Sequence, residues 1–273
     1  MDLFTLRDKV IVITGASGLL GREHAEAIAS AGGIPVLLDL DQKVLDEQAS
    51  HISNTFGVSS QGYSVDITNE GMVKENCKEL MKTFGKIDGL VNNAANNPKV
   101  EDSGERNFSR LEYFSSDVWE KDLAVGLKGS FFCIKYYGFE ISKNIGGGSI
   151  VNISSDLGLI APDQRLYHVE GLSEEQQPVK PVTYSVVKAG LIGLSRYVST
   201  YWADKSVRCN VLCPGGVENN QNGDFLKEVS LRIPMGRMAR TDEYRGALLF
   251  LLSEASSYMT GAVLSVDGGR TAW

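Results

Sequence analysis

The chain has 273 residues, of which 42% are hydrophobic and 22% charged, ordinary values for a globular protein with a sizeable core. Its net charge of −7 argues against nucleic acid or an anionic membrane surface as partner, since both favour basic faces. No apolar run approaches the roughly 18 residues that cross a membrane, and the first residues do not resemble a secretory signal.

The cysteines and histidines have none of the spacings that are typical of disulfide frameworks or metal sites. The four cysteines include no CxxC pair, and three lie in apolar periodic stretches, which predicts a reducing, cytoplasmic location. His24, His51 and His168 are scattered and have no HxxxH or HxxE partner. We therefore expect all three on the surface and predict no metal site.

Short β-branched apolar runs alternate with amphipathic stretches of helical length along the chain. Nearly continuous hydrophobicity is typical of strands covered on both faces, as in a parallel sheet. No linker, charge block or repeat divides the sequence, so residues 1–273 predict a single α/β domain, a Rossmann-like doubly wound seven-stranded parallel sheet. The strands are predicted at residues 9–14, 35–39, 62–66, 88–91, 149–154, 207–211 and 262–266.

Three predicted loops are long, at about 92–116, 155–183 and 214–241. Ligands of such sheets bind beyond the carboxyl ends of the strands, and long loops in compact domains are usually functional. The second loop contains Arg165 and Tyr167 among other polar residues, which predicts a polar substrate. Arg165 could pair with a phosphate or carboxylate, although a solvated loop charge explains it equally well.

A glycine-rich turn after the first strand indicates a cofactor site. Gly15, Gly18 and Gly21 lead into a helical stretch, where glycines let the backbone approach a pyrophosphate. Asp39 closes the second strand, where a carboxylate can bind the ribose hydroxyls of NAD and repel the extra phosphate of NADP. No Arg or Lys follows Asp39 until Lys43. We therefore predict NAD as cofactor, with NADP less favoured, and helix capping as a compatible alternative role for Asp39.

Tyr184 and Lys188 stand four residues apart at the start of a predicted helix over residues 184–202. Such a pair lies on one helix face. Tyrosine ionises near pH 10, and an adjacent ammonium favours the phenolate, which brings the pKa of the phenol towards the working range of a base. Taken alone, the spacing also fits two unconnected surface residues.

The chain resembles the short-chain dehydrogenases/reductases of single-domain type. The resemblance spans nearly the whole chain and includes a narrower similarity, in the long loops and residues 214–221, to the flagellin-modification branch that acts on acidic nine-carbon sugars. The motifs that carry it are Thr14–Gly21, Asp66, Asn92–Ala95, Ser154–Ser155, Tyr184-x-x-x-Lys188, Pro214–Gly215 and Asp267–Gly269.

The resemblance implies reversible transfer of a hydride between NAD and a secondary alcohol or ketone, on a sugar or sugar phosphate. Tyr184 is implied as the acid/base, and Lys188 as the residue that lowers its pKa and binds ribose. Ser155 is implied as a hydrogen-bond donor to the substrate oxygen, and the neighbouring Ser154 is the alternative serine for this role. Asn92 is implied at the adenosine side and as a support of the central strands. The implied cofactor-binding residues are Gly15, Ser17, Gly18, Leu19, Leu20, Asp39, Asp66, Ile67, Asn93, Ala94, Tyr184, Lys188, Pro214, Gly215 and Val217.

Three positions depart from the family pattern. The glycine spacing GxxGxxG is that of a longer, two-domain sugar-nucleotide branch, although the chain after Lys188 is too short for its extra domain. Gly126 stands where the family places a catalytic Asn, so the proton path from Lys188 must use other groups or be weaker. Asn219 replaces a common Thr near the nicotinamide amide, which it could still bond, and we group it with Arg165 and Tyr167 as a candidate substrate residue.

Two rival functions remain at this point. One is an epimerase or dehydratase that retains bound NAD, suggested by the glycine spacing. The other is a catalytically inactive NAD-binding regulatory protein, suggested by Gly126. For the assembly, the resemblance implies a homodimer or homotetramer formed through helices near residues 111–143 and 184–202.

Overall fold

The computed structural model describes residues 3–96 and 107–273. The apolar runs form one seven-stranded parallel sheet in the order β3-β2-β1-β4-β5-β6-β7. This confirms the predicted single Rossmann-like domain. The strands are β1 (Val10–Thr14), β2 (Ile34–Asp39), β3 (Gln61–Ser64), β4 (Gly89–Asn92), β5 (Gly148–Ile153), β6 (Val207–Pro214) and β7 (Val263–Val266).

Helices cover both faces of the sheet. The run from Ser116 to Ile141 is continuous but contains two π-helical stretches, Ala124–Gly129 and Ile134–Gly138. The α-helices are α1 (Leu19–Ser30), α2 (Gln42–Phe56), α3 (Glu70–Phe84), α4 (Ser116–Leu123), α5 (Ser130–Cys133), α6 (Phe139–Ile141), α7 (Val182–Tyr201), α8 (Gly223–Ser230) and α9 (Arg245–Leu252). None of the helices in residues 3–96 and 107–273 is long and apolar enough to cross a membrane.

The core has two layers because the central strands alternate their side chains between two buried faces. Val12 and Val36 belong to one layer, whereas Ile11 and Ile13 belong to the other. Val12 lies between Val36 of β2 and Leu90 of β4 in the parallel register. Burying side chains of this kind contributes about 1.5–3 kcal/mol each, which explains the continuous apolar runs in the sequence.

The ends of α2 and α3 follow from local sequence. Asp41 accepts a hydrogen bond from the Val44 amide and caps α2, and Asn69 caps α3 in the same way. Both helices end at a glycine in the left-handed conformation, Gly57 and Gly85. Since Asp41 provides the cap, the alternative capping role considered for Asp39 is not the one the structure uses.

Two details differ from the sequence expectations. The helix that contains Tyr184 begins at Val182, directly after Pro181, and so starts two residues earlier than predicted. The surface position predicted for His24 is wrong, because the inner face of α1 buries the ring completely. Burial lowers the pKa of His24 to about 3, so the imidazole is neutral.

The topological switch of the sheet determines where a ligand can bind. The chain proceeds from β1 through β2 to β3 on one side and returns to β4 on the other side of β1. The carboxyl ends of β1 and β4 therefore diverge into a crevice, which is the binding position in doubly wound sheets. Residues 97–106 of the loop predicted at 92–116 lie outside the described residues.

Candidate active site

The turn after β1 is shaped to hold an anionic group. Gly15 has φ +63°, and a Cβ there would come within 2.8 Å of the Ala94 Cα, so only glycine fits. Gly18 caps α1 without a side-chain hydrogen bond, and the first turn of the helix has no acidic residue. The amides of this helix end therefore point into the crevice with the positive end of the helix dipole, which suits the pyrophosphate of a dinucleotide.

Asp39 is held at the same turn. Its Oδ2 accepts hydrogen bonds from the Ser17 amide at 3.0 Å and the Ser17 hydroxyl at 2.5 Å, and its Oδ1 accepts one from the Leu40 amide. The carboxylate is thus oriented before any ligand arrives. Arg22 donates from Nε to the Ser17 carbonyl at 2.9 Å, which places a cation beside the turn that the sequence analysis did not consider.

The end of β4 is joined to the end of β1 by side-chain amides. Asn93 donates from Nδ2 to the carbonyls of Thr14 and Gly15, and its backbone amide bonds the Thr14 hydroxyl. Asn92 points instead into the sheet, where it donates to Asn152 of β5 at 2.7 Å. Asn93 and Ala94 line the cleft, whereas Asn92 does not line it and its contact agrees with the predicted support of the central strands.

Lys188 and Ser154 join α7 to β5 and position Tyr184. The Lys188 ammonium donates to the Ile153 carbonyl at 2.8 Å and lies 5.7 Å from the centroid of the Tyr184 ring. The Ser154 hydroxyl donates to the Lys188 carbonyl at 2.7 Å. Both serines line the cleft, but the Ser154 hydroxyl is engaged by the backbone of α7, whereas the position of Ser155 agrees with the predicted catalytic role.

Ser155 is oriented by the residue after it. Its hydroxyl donates to Asp156 Oδ1 at 2.7 Å, and its oxygen accepts from the Leu157 amide. A substrate oxygen next to Ser155 would compete with Asp156 for the hydroxyl hydrogen. Asp156 is therefore placed to influence the chemistry without touching the reacting carbon.

The pKa values of Tyr184 and Lys188 differ from what their spacing in the sequence predicts. Burial lowers the pKa of Lys188 to about 8. Burial also raises the pKa of Tyr184, a hydrogen bond with Ser155 lowers it, and the charge of Asp156 raises it further. The expectation that Lys188 brings the Tyr184 pKa below 10 is not met in this structure, because the ammonium is directed at Ile153 and the phenol is desolvated.

The packing of the helix opposite Lys188 explains why a glycine, Gly126, stands where the family places an asparagine. Gly126 lies in the π-helical stretch Ala124–Gly129, and a Cβ at this position would overlap Cγ1 of Val187. Beside it, Asp122 accepts hydrogen bonds from Thr183 at 2.5 Å and Asn96 at 2.6 Å. A cavity of about 10 Å³, room for roughly one water, separates this cluster from Lys188.

One cleft of about 960 Å³ connects the glycine turn to Tyr184. Ser155, Tyr184 and Lys188 all line it, as do the candidate substrate residues Tyr167 and Asn219. Every cofactor residue implied by the resemblance lines the same cleft: Gly15, Ser17, Gly18, Leu19, Leu20, Asp39, Asp66, Ile67, Asn93, Ala94, Tyr184, Lys188, Pro214, Gly215 and Val217. The structure therefore brings together the predicted catalytic and cofactor residues, whose roles stay predictions.

Arg165 is the one predicted site residue that the structure keeps out of the cleft. Its side chain is 84% exposed, and its guanidinium is bonded by Nε and Nη2 to the Asp163 carboxylate two residues earlier. Asp163 also accepts from Arg232. The interpretation of Arg165 as a solvated loop charge is therefore the one that agrees with the structure, whereas its substrate role stays a prediction that this position does not support.

Three charged residues that the sequence analysis did not select line the cleft: Asp156, Lys180 and Arg270. Features of the sequence could have indicated two of them. Asp156 directly follows Ser155, and Arg270 is the first long side chain after β7 and the turn at Gly268 and Gly269. Because the carboxyl ends of parallel strands face the site, such a side chain is expected to reach it.

The chain matches the family model described as Enoyl-(Acyl carrier protein) reductase over residues 15–271. It is 33% identical over 282 residues to an NADP-dependent mannitol dehydrogenase of Hypocrea jecorina, covering 99% of this chain and 95% of that protein. It is 30% identical over 276 residues to an NAD-dependent glycerol dehydrogenase of Listeria innocua, covering 98% and 96%.

Among solved structures, a gluconate 5-dehydrogenase from Burkholderia cenocepacia in complex with NADP and tartrate is similar, with a TM-score of 0.86 and 26% identity. The match covers 100% of this chain and 98% of that one. The fold, the glycine turn and the relatives that match over nearly their whole length all indicate the same family. The chain therefore belongs to the short-chain dehydrogenase/reductase family of oxidoreductases.

Proposed function

We propose that the protein is an NAD-dependent oxidoreductase that interconverts a secondary alcohol and a ketone on a polar, sugar-like substrate. The observation that carries the proposal is the single cleft in which Ser155, Tyr184 and Lys188 face the same space as the glycine turn and Asp39. A bound cofactor and a bound substrate would therefore both be within reach of Tyr184, of Lys188 and of the N-terminal end of α1.

The residues that would hold NAD fit it. The bare amides after Gly18 suit the pyrophosphate, the oriented Asp39 carboxylate suits the ribose hydroxyls, and Lys188 suits the second ribose. When bound, NAD supplies the hydride acceptor. The protein supplies orientation and control of the proton.

Tyr184 would take the proton of the substrate hydroxyl during oxidation and return it during reduction. Ser155 would hold the same oxygen by a hydrogen bond. The Lys188 ammonium, protonated below about pH 8, would bind the second ribose of NAD beside the Tyr184 phenol. General acid–base catalysis of this kind contributes roughly 10²–10⁴-fold to the rate.

A sugar or polyol substrate is supported by the polar wall of the cleft and by the relatives. Tyr167, Asn219 and Gln221 line the cleft beyond Tyr184 and offer hydroxyl and amide groups for a polyhydroxy ligand. The relatives reported above are named for mannitol, glycerol and gluconate. The narrower resemblance to the flagellin-modification branch stays a prediction.

The preference for NAD rests on Asp39. A carboxylate already bonded to the Ser17 amide and hydroxyl would lie against the extra phosphate of NADP and repel it. Relatives with either cofactor are known by name, and the Arg22 side chain beside the turn would favour NADP. We propose NAD because Asp39 lines the cleft, whereas Arg22 does not line it and its guanidinium is bonded to the Ser17 carbonyl.

The test is a screen of sugars, polyols and their phosphates with NAD and NADP, followed by NADH or NADPH absorbance. Tyr184→Phe should abolish turnover while NAD binding is retained. Tyr63→Phe is the matched control, since it removes the same atom from a tyrosine of β3 that does not line the cleft and whose hydroxyl donates to Gln61. Full activity of Tyr184→Phe would contradict the mechanism.

The same screen separates the rival functions. Release of NADH in proportion to substrate excludes an epimerase or dehydratase that retains its cofactor. NAD binding without turnover of any compound would favour the inactive regulatory protein.

We further propose a homodimer or homotetramer. Aromatic side chains are exposed on the two helical regions named above, namely Phe131, Phe139, Tyr197 and Tyr201, and exposed apolar patches of this kind often mark interfaces. The cytoplasmic location stays a prediction from cysteine usage.

A further inference from the structure

We infer that Asp156 fixes the hydroxyl of Ser155 as a hydrogen-bond acceptor towards the substrate, so that the site binds a secondary alcohol more tightly than the corresponding ketone. The inference rests on the proposed function and deepens it, since it names the form of the substrate that the site prefers. Asp156 acts through Ser155 and is therefore a positioning residue. It is held by the hydrogen bonds of residues 155–157 and by an ion pair with Arg270.

The hydroxyl hydrogen of Ser155 is engaged by Asp156. Ser155 Oγ lies 2.7 Å from Asp156 Oδ1, and the Leu157 amide donates to the same Oδ1 at 2.8 Å. A carboxylate oxygen can only accept, so the hydrogen between the two side chains belongs to the serine. A hydrogen bond to a carboxylate is also stronger than one between neutral groups. A substrate oxygen that needs this hydrogen must therefore break a strong bond.

One accepting position of Ser155 is left for the substrate. A serine oxygen has two lone pairs, and the Leu157 amide donates to one of them at 3.2 Å. The second lone pair can receive a hydrogen from a ligand in the cleft, which Ser155 lines together with Tyr184. The hydroxyl group of an alcohol can donate such a hydrogen, whereas the carbonyl oxygen of a ketone cannot.

An ion pair with Arg270 stabilises the carboxylate that holds the Ser155 hydrogen. Asp156 Oδ2 lies 3.3 Å from Arg270 Nε, and the two side chains are 5% and 10% exposed. A buried carboxylate needs such a partner, because an unpaired buried charge is strongly unfavourable. Gly268 and Gly269, both with positive φ, turn the chain after β7 and bring Arg270 to this position.

The two forms of the substrate therefore meet Ser155 differently. An alcohol can donate its hydrogen to Ser155 as it binds and, because a hydroxyl rotates about its C–O bond, to Tyr184 when it reacts. A ketone has no hydrogen on its oxygen, so its lone pairs face those of Ser155 unless the bond to Asp156 is broken. A polar group without a hydrogen-bond partner disfavours binding. The ketone is bound less tightly and leaves more readily after oxidation.

Asp156 thus changes the role that the resemblance implies for Ser155, that of a hydrogen-bond donor to the substrate oxygen. Asp156 also belongs to the 3-10 turn Asp156–Gly158, which Ser155 caps. If closing this turn were its only role, removal of the carboxylate would weaken the binding of alcohol and ketone equally. A difference between the two forms is therefore the observation that separates the two roles.

The experiment compares two alcohols with their ketones, glycerol with dihydroxyacetone and threitol with erythrulose, because these ketones are too short to close a sugar ring. Calorimetry measures the dissociation constants of complexes that cannot react, each alcohol with enzyme and NADH and each ketone with enzyme and NAD. We expect the constant for each ketone to exceed that for its alcohol in the wild-type protein. Asp156→Ala should reduce this ratio by roughly tenfold.

Three further variants make the comparison specific. On a Ser155→Ala background, Asp156→Ala should leave the ratio unchanged, because the hydroxyl that it redirects is absent. Asp163→Ala is the matched control, since it removes an arginine-paired aspartate that does not line the cleft, and it should also leave the ratio unchanged. Asp156→Asn keeps the size of the side chain and provides a second test should Asp156→Ala fail to fold.

Ionisation of Tyr184 gives a readout that needs no substrate. The tyrosinate absorbance of a protein minus that of its Tyr184→Phe counterpart follows this one phenol during a pH titration. Asp156→Ala should lower the pKa of Tyr184, because it removes a charge that raises this pKa and frees the Ser155 hydrogen for the phenolate. The decrease should be smaller when Ser155 is also replaced by alanine.

The outcomes distinguish the inference from the proposed function. Equal changes for alcohol and ketone in Asp156→Ala, or wild-type protein that binds the ketones as tightly as the alcohols, overturn the inference and leave the proposed oxidoreductase in place. If none of the four compounds binds, short polyols are excluded as substrates and the titration decides. A decrease in the pKa of Tyr184 that does not depend on Ser155 would then overturn the inference.

Discussion

Val187 occupies the space that a side chain at Gly126 would need. A Cβ built on Gly126 would overlap Cγ1 of Val187, and Val187 directly precedes Lys188 on α7. The glycine is therefore coupled to a β-branched residue on the facing helix. This pairing explains in steric terms why the family's side-chain relay is missing from this chain.

Restoring the relay residue should accordingly destabilise the protein. Gly126→Asn introduces an overlap in a packed helix interface, and overpacking costs about 1–3 kcal/mol. We expect a lower midpoint of thermal unfolding and a lower kcat, because α7 carries both Tyr184 and Lys188.

The double variant tests whether the overlap is the cause. Val187→Ala removes the overlapping methyl group, so Gly126→Asn combined with Val187→Ala should recover part of the stability lost by Gly126→Asn alone. Val187→Ala by itself provides the baseline for the cavity it creates. A Gly126→Asn protein as stable as wild type would refute the steric explanation.

Much of the fold and of the cofactor site could be predicted because the residues there are determined by local sequence patterns, and contacts with distant residues do not override them. Continuous apolar runs predict buried parallel strands, and Gly15 is required by a positive φ next to Ala94. The spacing of Tyr184 and Lys188 needs only a helix to bring the residues together.

The substrate end could not be predicted in the same way, as the two arginines show. The polar loop predicts a substrate role for Arg165, but Asp163, two residues earlier, binds its guanidinium. No motif predicts a site role for Arg270, although the turn after β7 directs it into the cleft. Which charged loop residue reaches a site depends on such ion pairs and turns, and composition does not encode them. His24 is a similar case, since which face of α1 is buried depends on its neighbours.

The cofactor preference gives a prediction at the adenosine end. The change Asp39→Ser with Leu40→Arg removes the carboxylate and adds a cation where the extra phosphate of NADP would lie. We expect the ratio of kcat/KM for NAD to that for NADP to fall by at least roughly tenfold. Asp41→Ser is the control, because Asp41 caps α2 and serine can replace it as a cap. Equal use of both cofactors by the wild-type enzyme would contradict the preference.

The proposed assembly predicts that a charge on the exposed aromatic face produces a monomer. Tyr197 is 64% exposed and stacks on Tyr201 one helical turn later. Tyr197→Glu should shift the mass measured by light scattering from a dimer or tetramer to a monomer, because burying an unpaired carboxylate in an interface is costly. Tyr258→Glu, at a fully exposed position away from α7, should not change the mass. A monomeric wild-type protein would rule out the assembly.

The buried ammonium of Lys188 predicts how stability depends on pH. Burial lowers its pKa in the folded protein to about 8, whereas an unfolded lysine titrates near pH 10.4. Between these values the unfolded chain binds more protons, so the contribution of Lys188 to the free energy of unfolding rises with pH. Below about pH 8 both states are protonated and the cost of burying the charge is present in full.

Lys188→Met removes this cost together with the hydrogen bond to the Ile153 carbonyl. The free energy of unfolding of the variant minus that of wild type should therefore decrease steadily from about pH 8 to 10.4, whatever its value at neutral pH. Urea denaturation at several pH values in this range measures the difference. Lys205→Met, at an exposed position after α7, controls for the loss of a positive charge. A difference for Lys188→Met that does not change across this range would mean that the folded protein does not depress the pKa of Lys188.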